Sequence, residues 1–404
     1  MTSPAPVRVL VVIDALGQGG AEHSLAAMLP RLGPHGVKAE VVCRYRADSH
    51  VEELLTNHGV PVSTMPKANP IAATRWLRQR VRQDRPSLVH LNLFVPTMVG
   101  TAATLGAGVP VLVSLVNTPQ TSNPDVATWK LRTVAGAEAL ACRRFATVVH
   151  AVTPGVRDAA VGPMRIPAGK VRVTERGRDA TRFHPPEPAE RSAARTALDL
   201  LASDEVVVAV GRHEHQKGFE HLLDAVAVLQ ASRPKLVVLI AGKEGNLTSA
   251  LRSRMAALPR PDGVRLLGDR RDVEVVLQAA DAFVLSSLRE GAAGAAVEAM
   301  ATGLPIVASD LAGTRGILRH DGEALLVPPG DAPALALALA EVLDEPLLAR
   351  SLGATGLATY QARFTLDRAV AALADLYREV AALPASSAGS FLHPGRHGHP
   401  AADH

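Results

Sequence analysis

Ala282-Phe283-Val284-Leu285-Ser286-Ser287-Leu288-Arg289-Glu290-Gly291-Ala292-Ala293-Gly294-Ala295-Ala296-Val297-Glu298-Ala299-Met300-Ala301-Thr302-Gly303-Leu304-Pro305-Ile306-Val307-Ala308 is the stretch that decides the fold. The apolar run 282–285 has the pattern of a strand buried on both faces, as in a parallel sheet. A helix is expected from about Ala293 to Gly303, which suits a C′ glycine, and Pro305 opens the next strand. A strand, a loop, a helix and a strand in this order imply a parallel α/β sheet. Glu290 then sits at the carboxyl end of a strand, just before the free N–H groups of a helix N-terminus. That edge is where open α/β sheets bind ligands, and helix N-termini favour phosphate. Small residues at Gly291, Ala292, Ala293 and Gly294 let a ligand approach the backbone. Glu298 lies two turns further on, rotated by only ~80°, so it is expected to face the same crevice.

Outward from this stretch, 404 residues set a prior of two domains. Apolar residues make up 47% of the chain but aromatics only 3%, so the cores must be built from Ala, Val and Leu. Two cysteines, Cys43 and Cys142, lie in different expected elements without metal-ligand neighbours, which fits a reducing compartment. The opening residues lack the parts of a signal peptide and no run has the length of a membrane span. The expected location is therefore cytoplasmic. The charge is uneven: residues 1–185 hold 22 Lys/Arg against 12 Asp/Glu, and the remainder 21 against 27. A basic first half suits an anionic acceptor, or peripheral attachment to an anionic inner membrane face. Its densest part is 71–85, where five arginines accompany one aspartate and Trp76. The absence of interleaved basic and aromatic residues argues against nucleic acid.

In the first half, Val7–Ile13 is a strand that turns at Gly17-Gln18-Gly19-Gly20 into a helix from Ala21, a phosphate-friendly start without the dinucleotide fingerprint. Strands follow at 38–43, 60–64, 87–91, 110–115, 147–152 and 170–174, with helices at 21–32, 48–58, 70–84, 96–107 and 127–145. Pro185, Pro186 and Pro188 have the composition of a linker. A second alternation begins with strand 206–210, leads through Gly211-Arg212-His213-Glu214-His215-Gln216-Lys217-Gly218 into a helix, and continues with strands 236–240, 264–268, 282–285 and 305–308. Helices are expected at 331–344 and 346–361, with an amphipathic helix over 365–382. Residues 384–404, rich in Ser, Gly, Pro and His, have the composition of a disordered tail. His213 and His215 flank Glu214 but lack a third ligand at metal spacing, so they are expected to be solvated and no metal site is assigned.

Glu290 and Glu298, with seven residues between them and followed by Ala299-Met300-Ala301-Thr302-Gly303-Leu304-Pro305-Ile306-Val307-Ala308, resemble the signature of the family-four retaining glycosyltransferases of GT-B fold. Two acids at this spacing alone would mean little; the flanks carry the resemblance. It implies that Glu290 and the backbone of Gly291, Ala292, Ala293 and Gly294 hold the donor sugar, and that Glu298 holds the ribose hydroxyls. Gly211-Arg212…Lys217-Gly218 matches the family's diphosphate clamp. Two cations suit a departing dianion. The resemblance also places Gly19 and Gly20, with Glu22, at the inter-domain cleft, and Leu267 near the base. His90 ends a strand that lines the cleft in relatives, although a satisfied strand-end histidine is the plainer reading. Val116-Asn117 stands where the family often has a cleft His or Arg, which weakens assignment of Asn117 to the acceptor. Arg176-Gly177-Arg178-Asp179 stands where the family commonly has Asn-Gly-Val-Asp.

The fold implied is two Rossmann-like doubly wound domains facing across a cleft. An acceptor-side domain would span 1–183, with helix 363–383 crossing back to it, and a nucleotide-sugar domain 184–362. The function implied is retaining sugar transfer from a nucleotide-diphosphate sugar to a glycan, lipid-linked or small-molecule acceptor. Glu290, Arg212 and Lys217 would be catalytic, and neither a metal nor a resident cofactor would be required. A nucleotide-sugar 2-epimerase of the same fold and a non-catalytic sugar-nucleotide binder remain the alternatives.

Overall fold

The computed structural model describes residues 5–17, 19–46, 50–66, 69–116 and 129–385. Its first unit runs β1 (Val7–Ala15), α1 (Gly20–Met28), β2 (Val37–Tyr45), α2 (His50–Asn57), β3 (Val62–Thr64), α3 (Pro70–Asp84), β4 (Leu88–Asn92), α4 (Phe94–Thr104), β5 (Val111–Leu115), α5 (Trp129–Phe145), β6 (Val148–Ala151), α6 (Pro154–Val161) and β7 (Val171–Val173). The second runs α7 (Pro188–Ala197), β8 (Glu205–Val210), α8 (Phe219–Leu229), β9 (Leu236–Ala241), α9 (Thr248–Ala256), β10 (Val264–Gly268), α10 (Val273–Gln278), β11 (Ala282–Leu285), α11 (Gly294–Ala301), β12 (Ile306–Ser309), α12 (Ala312–Arg315), β13 (Ala324–Val327), α13 (Ala332–Asp344) and α14 (Pro346–Thr359). α15 (Leu366–Ala382) ends the described fold.

The sheets have the orders β3-β2-β1-β4-β5-β6-β7 and β10-β9-β8-β11-β12-β13, and neighbouring strands pair in parallel. Each order reverses once, between β1 and β4 and between β8 and β11. Those switch points open a crevice at the carboxyl edge. The first crevice receives the Gly19-Gly20 turn, and the second receives both the Arg212–Lys217 loop and the Glu290 loop. Both sheets are buried on their two faces by Val, Leu, Ile and Ala, as the scarcity of aromatics requires.

Several boundaries depart from expectation. Pro188 is not linker but the first residue of α7, where Pro is tolerated because its missing N–H has no helical partner; the Glu190 carboxylate accepts the Glu187 N–H at 2.8 Å. α6 was not foreseen, although Thr153 caps it by accepting the Val156 N–H; eight residues are too few for a periodic signal. The tail from 386 onward lies outside the described residues.

α15 returns to the first unit, where Leu366, Val370, Leu373, Tyr377 and Val380 join the core of β1 and β2. Its entry is a backbone bridge between Arg178 and Thr365, closed by Arg178 N–H to Phe364 O and Leu366 N–H to Arg178 O, both 2.9 Å. Gly177 is required there, because a Cβ would lie 2.3 Å from the Thr365 carbonyl oxygen.

A buried polar chain fixes the same helix. The Tyr377 hydroxyl lies 2.8 Å from His90 Nδ1, His90 Nε2 2.7 Å from Ser114 Oγ, and Ser114 Oγ 2.7 Å from His150 Nδ1. His150 Nε2 ends 2.9 Å from the Thr174 carbonyl. The Thr174 hydroxyl lies 2.7 Å from the same nitrogen. In the tautomer in which His150 Nε2–H donates to the carbonyl, which only accepts, Ser114 donates to His150, His90 Nε2–H donates to Ser114, and Tyr377 donates to His90. Both rings are thereby neutral. Burial pushes His150 down to about 4, opposed by its bond to the Thr174 carbonyl and aided by the Arg176 charge. Burial, then the repulsion it would meet from a protonated His150 and the Arg176 charge, hold His90 well below its usual value. A histidine depressed in the fold stabilises it above the unfolded value of 6.5, and that stability is lost as pH falls towards about 4. For His150 the loss is about 3 kcal/mol. Urea unfolding at pH 7 and pH 4.5 is expected to show a smaller acid penalty in His150→Asn than in the parent. Equal penalties would remove this role.

The basic run 71–85 forms α3, with Leu77 and Val81 buried and Trp76 packed against the sheet core. Arg78 donates to the Ala102 and Ala103 carbonyls, and Arg80 pairs with Glu40 and Asp84. The charge of this helix is thus partly engaged within the fold. Among the described residues, no helix is long and apolar enough to cross a membrane.

Candidate active site

The loop after β8 holds Arg212 and Lys217, and the loop after β11 holds Ser287 and Glu290. The two loops are tied together. Ser286 Oγ donates to Lys217 O at 3.0 Å, Leu288 N–H donates to Gln216 O, and Gln216 Nε2 donates to Arg289 O at 3.1 Å. Gly218, at φ +62°, lets them touch: a Cβ there would lie 2.1 Å from Ser286 O. This suture brings Lys217 Nζ to 2.6 Å from Glu290 Oε1, which also accepts from Ser287 Oγ at 2.6 Å. Glu290 is only 7% exposed. An ammonium has three donors, so Lys217 retains two for a ligand. Arg212 is exposed, and among the described residues no side chain pairs with it.

Glu290 does not end a strand or open a helix. It lies in an irregular segment between Leu285 and Gly294, so the rotation expected between it and Glu298 does not apply. The helix begins only at Gly294 because Ala293 adopts the left-handed conformation at φ 37°, ψ 47°, which is uncommon for a residue with a Cβ and typical of functional turns. The Ala293 carbonyl accepts from the Ala296 and Val297 N–H groups, whereas among the described residues the N–H groups of Gly291–Ala293 have no backbone partner. The first domain grips the same segment: Thr153 Oγ donates to Gly291 O at 3.1 Å, and Ala292 packs against the first domain's core. Gly313 fits beneath, since a Cβ there would meet Glu290 O at 2.2 Å.

Glu298 lies inside α11, and its Oε1 accepts from Arg178 Nε at 2.6 Å, with both side chains largely buried. Arg178 is the residue that bridges Thr365, so one residue holds the hinge between domains through its backbone and Glu298 through its side chain. Gly294 leaves room for it, as a Cβ would stand 2.2 Å from an Arg178 terminal nitrogen. The sequence showed Arg178 only as a departure from the family's Val and gave no hint of this pair.

On the facing domain, the Glu22 carboxylate folds back over Gly19, where a Cβ would lie 2.3 Å from it, and Ser24 Oγ donates to Gly20 O. Leu267 lies on β10, partly buried against the second domain's core. His90 belongs to the buried chain of hydrogen bonds and is 1% exposed, so it takes the strand-end role rather than facing an acceptor. Asn117 lies outside the described residues. His213 is not solvated: it is fully buried, hydrogen-bonded to Thr248 Oγ at 3.1 Å. Among the described residues no group of three metal-ligand side chains converges.

Comparison with known proteins agrees with this geometry. Residues 191–358 match the family described as Glycosyl transferases group 1, and residues 19–177 match the Glycosyl transferase 4-like domain. The D-inositol 3-phosphate glycosyltransferase of Saccharomonospora viridis is 32% identical over 309 residues, 73% of this chain and 70% of that one. The putative glycosyltransferase EpsD of Bacillus subtilis is 31% identical over 201 residues, 50% of this chain and 52% of that one; for several such curated relatives the match spans about half of their length. The structure of HepE from Anabaena in complex with UDP and glucose superposes with a TM-score of 0.82 at 22% identity, over 92% of this chain and 99% of that one. WaaG, involved in lipopolysaccharide biosynthesis, gives 0.75 at 14% identity, over 91% and 99%. The two matched domains, the motifs they contain and the two facing parallel sheets make this chain a member of the family-four-like glycosyltransferases of GT-B fold.

Proposed function

We propose that the protein transfers a sugar from a nucleotide-diphosphate sugar to an acceptor with retention of anomeric configuration and without a metal ion. The observation that carries this is the convergence of Lys217, Glu290 and Ser287 at one switch point, with Arg212 and Glu298 on the same two loop–helix units. Lys217 and Arg212 neutralise the departing diphosphate, the task a divalent ion would otherwise perform. Glu290 orients sugar hydroxyls and favours positive charge developing at the anomeric carbon. Glu298 accepts from the ribose hydroxyls. The acceptor oxygen attacks from the face the diphosphate leaves. Its proton passes to a diphosphate oxygen as the C–O bond to the leaving group breaks, so no protein base is consumed. The UDP and UDP-glucose complexes of HepE support a uridine donor. Free, buried Cys43 and Cys142 fit a reducing, cytoplasmic setting.

The test is turnover with a panel of nucleotide sugars and candidate acceptors, read as nucleotide release and by the anomeric coupling of the product. Retention is expected, with activity unchanged in EDTA. An inverted product, or activity lost in chelator and restored by a divalent ion, would overturn the corresponding part. Nucleotide release from the donor without any acceptor, accompanied by an epimerised sugar, would favour the isomerase.

A further inference from the structure

Four arginines leave the first domain close together, and three have carboxylate partners: Arg172 with Glu379, Arg178 with Glu298 and Arg182 with Glu274. Arg176 is the exception. Among the described residues no carboxylate lies within ion-pair distance of it. Its Nε is buried without a hydrogen-bond partner, and its one recorded bond is a long 3.5 Å contact from a terminal nitrogen to Gly20 O. The adjacent Glu175 is turned away, to Arg363. Burial and the Arg178 charge push the Arg176 guanidinium down to about 10, and only Glu22 and Tyr377 act in the other direction.

The surroundings offer no other compensation. The imidazoles of His90 and His150 beneath Arg176 are neutral, and the Tyr377 hydroxyl is committed to His90. Asn92, two residues on from His90 and so on the same face of β4, is fully buried with both amide atoms unpartnered. A half-buried guanidinium whose Nε is shut from water without a partner, and which lacks a counter-ion, costs stability, and this one stands beside the glycine turn at the switch point of the first sheet. The diphosphate cations Arg212 and Lys217 belong to the other sheet.

We propose that Arg176 receives a phosphate group of the acceptor at the carboxyl edge of the first sheet, beside Gly20 and across the cleft from the donor diphosphate. This rests on the donor reading above, because the donor phosphates must have their own site. The other source of the same chemistry is the donor itself, and the experiment separates the two.

Inorganic phosphate is titrated calorimetrically into the full chain, alone and saturated with UDP, against sodium chloride of matched ionic strength. Phosphate is expected to bind the UDP-saturated protein. Arg176→Gln is expected to weaken that binding by about 10-fold or more while UDP affinity stays within about 2-fold. Arg176→Lys, which keeps charge but loses the fork, is expected to fall between. Without ligand, Arg176→Gln is expected to melt no lower than the parent. No phosphate binding alongside UDP, equal binding in Arg176→Gln, or a melting temperature lowered by the substitution would each overturn the proposal. Loss of UDP and phosphate binding together would assign Arg176 to the donor and overturn it as well. If UDP fails to bind while phosphate binds through Arg176, the donor reading falls and the anion site stands.

Discussion

Replacing Glu290 by Gln is expected to lower turnover by about 10²-fold with little change in nucleotide affinity. The carboxylate accepts from Lys217 and Ser287 through a single oxygen, which leaves the other for a sugar hydroxyl. Glutamine preserves the shape but removes the charge that favours an oxocarbenium-like anomeric centre and fixes Lys217. Lys217→Ala attacks the same unit from the other side. It removes a cation from the leaving group and leaves a carboxylate that water hardly reaches with only the Ser287 hydroxyl. A comparable or larger fall in turnover is expected. Because the two groups act as a pair, the double variant should be little worse than the poorer single one. Steady-state release of nucleoside diphosphate measures all three. Wild-type turnover in Glu290→Gln, or losses that simply multiply in the double variant, would dissolve the pair as a functional unit.

How much of this was legible in the sequence follows from the range of each signal. Buried parallel strands are short apolar runs between helices, so β1, β8, β9 and β11 stood out, whereas the strand order that sets the switch points comes only from long-range pairing. The donor residues were legible because they lie within two loops: Arg212 to Lys217 and Glu290 to Glu298 are local spacings. What was hidden is what folding brings from afar. Arg178 and Glu298 are far apart along the chain, and nothing in the spacing of either points to the other. Ser287 stood beside Glu290 unremarked because a hydroxyl gains meaning only once the side chains converge. His213 was misjudged for a related reason: polar neighbours suggested solvent, but α9 supplies Thr248 as a partner for Nδ1 of a buried ring, whose Nε2 is left unpartnered. Ala293 gave no sign of its left-handed turn, since alanine is the strongest helix former and what surrounds it is tertiary: its own methyl sits in the second domain's core, while Gly291 and Ala292 meet the first domain.

Glu298→Ala is expected to weaken UDP and the intact donor alike by about 10- to 100-fold, the value of charge-assisted hydrogen bonds to the ribose. Equal loss for both ligands is the diagnostic part, because ribose is common to them whereas the sugar is not. Arg178 adds a second arm. It occupies one position on Glu298 Oε1, and a carboxylate has about four acceptor positions, so the ribose diol binds beside the guanidinium rather than replacing it. The arginine then holds the carboxylate in one orientation. Arg178→Val, which installs the residue common in the family, should free the carboxylate to rotate and weaken UDP by only a few-fold, about 1 kcal/mol. If Arg178 acts through Glu298 alone, adding Arg178→Val to Glu298→Ala costs nothing further in UDP affinity. Calorimetric titration of the parent, both single variants and the double variant reads the cycle. An additional loss in the double variant would mean that Arg178 touches the nucleotide itself. A gain in affinity for Arg178→Val would mean that the arginine competes with the ribose, and the Arg178–Glu298 pair would then be a latch that the donor must open.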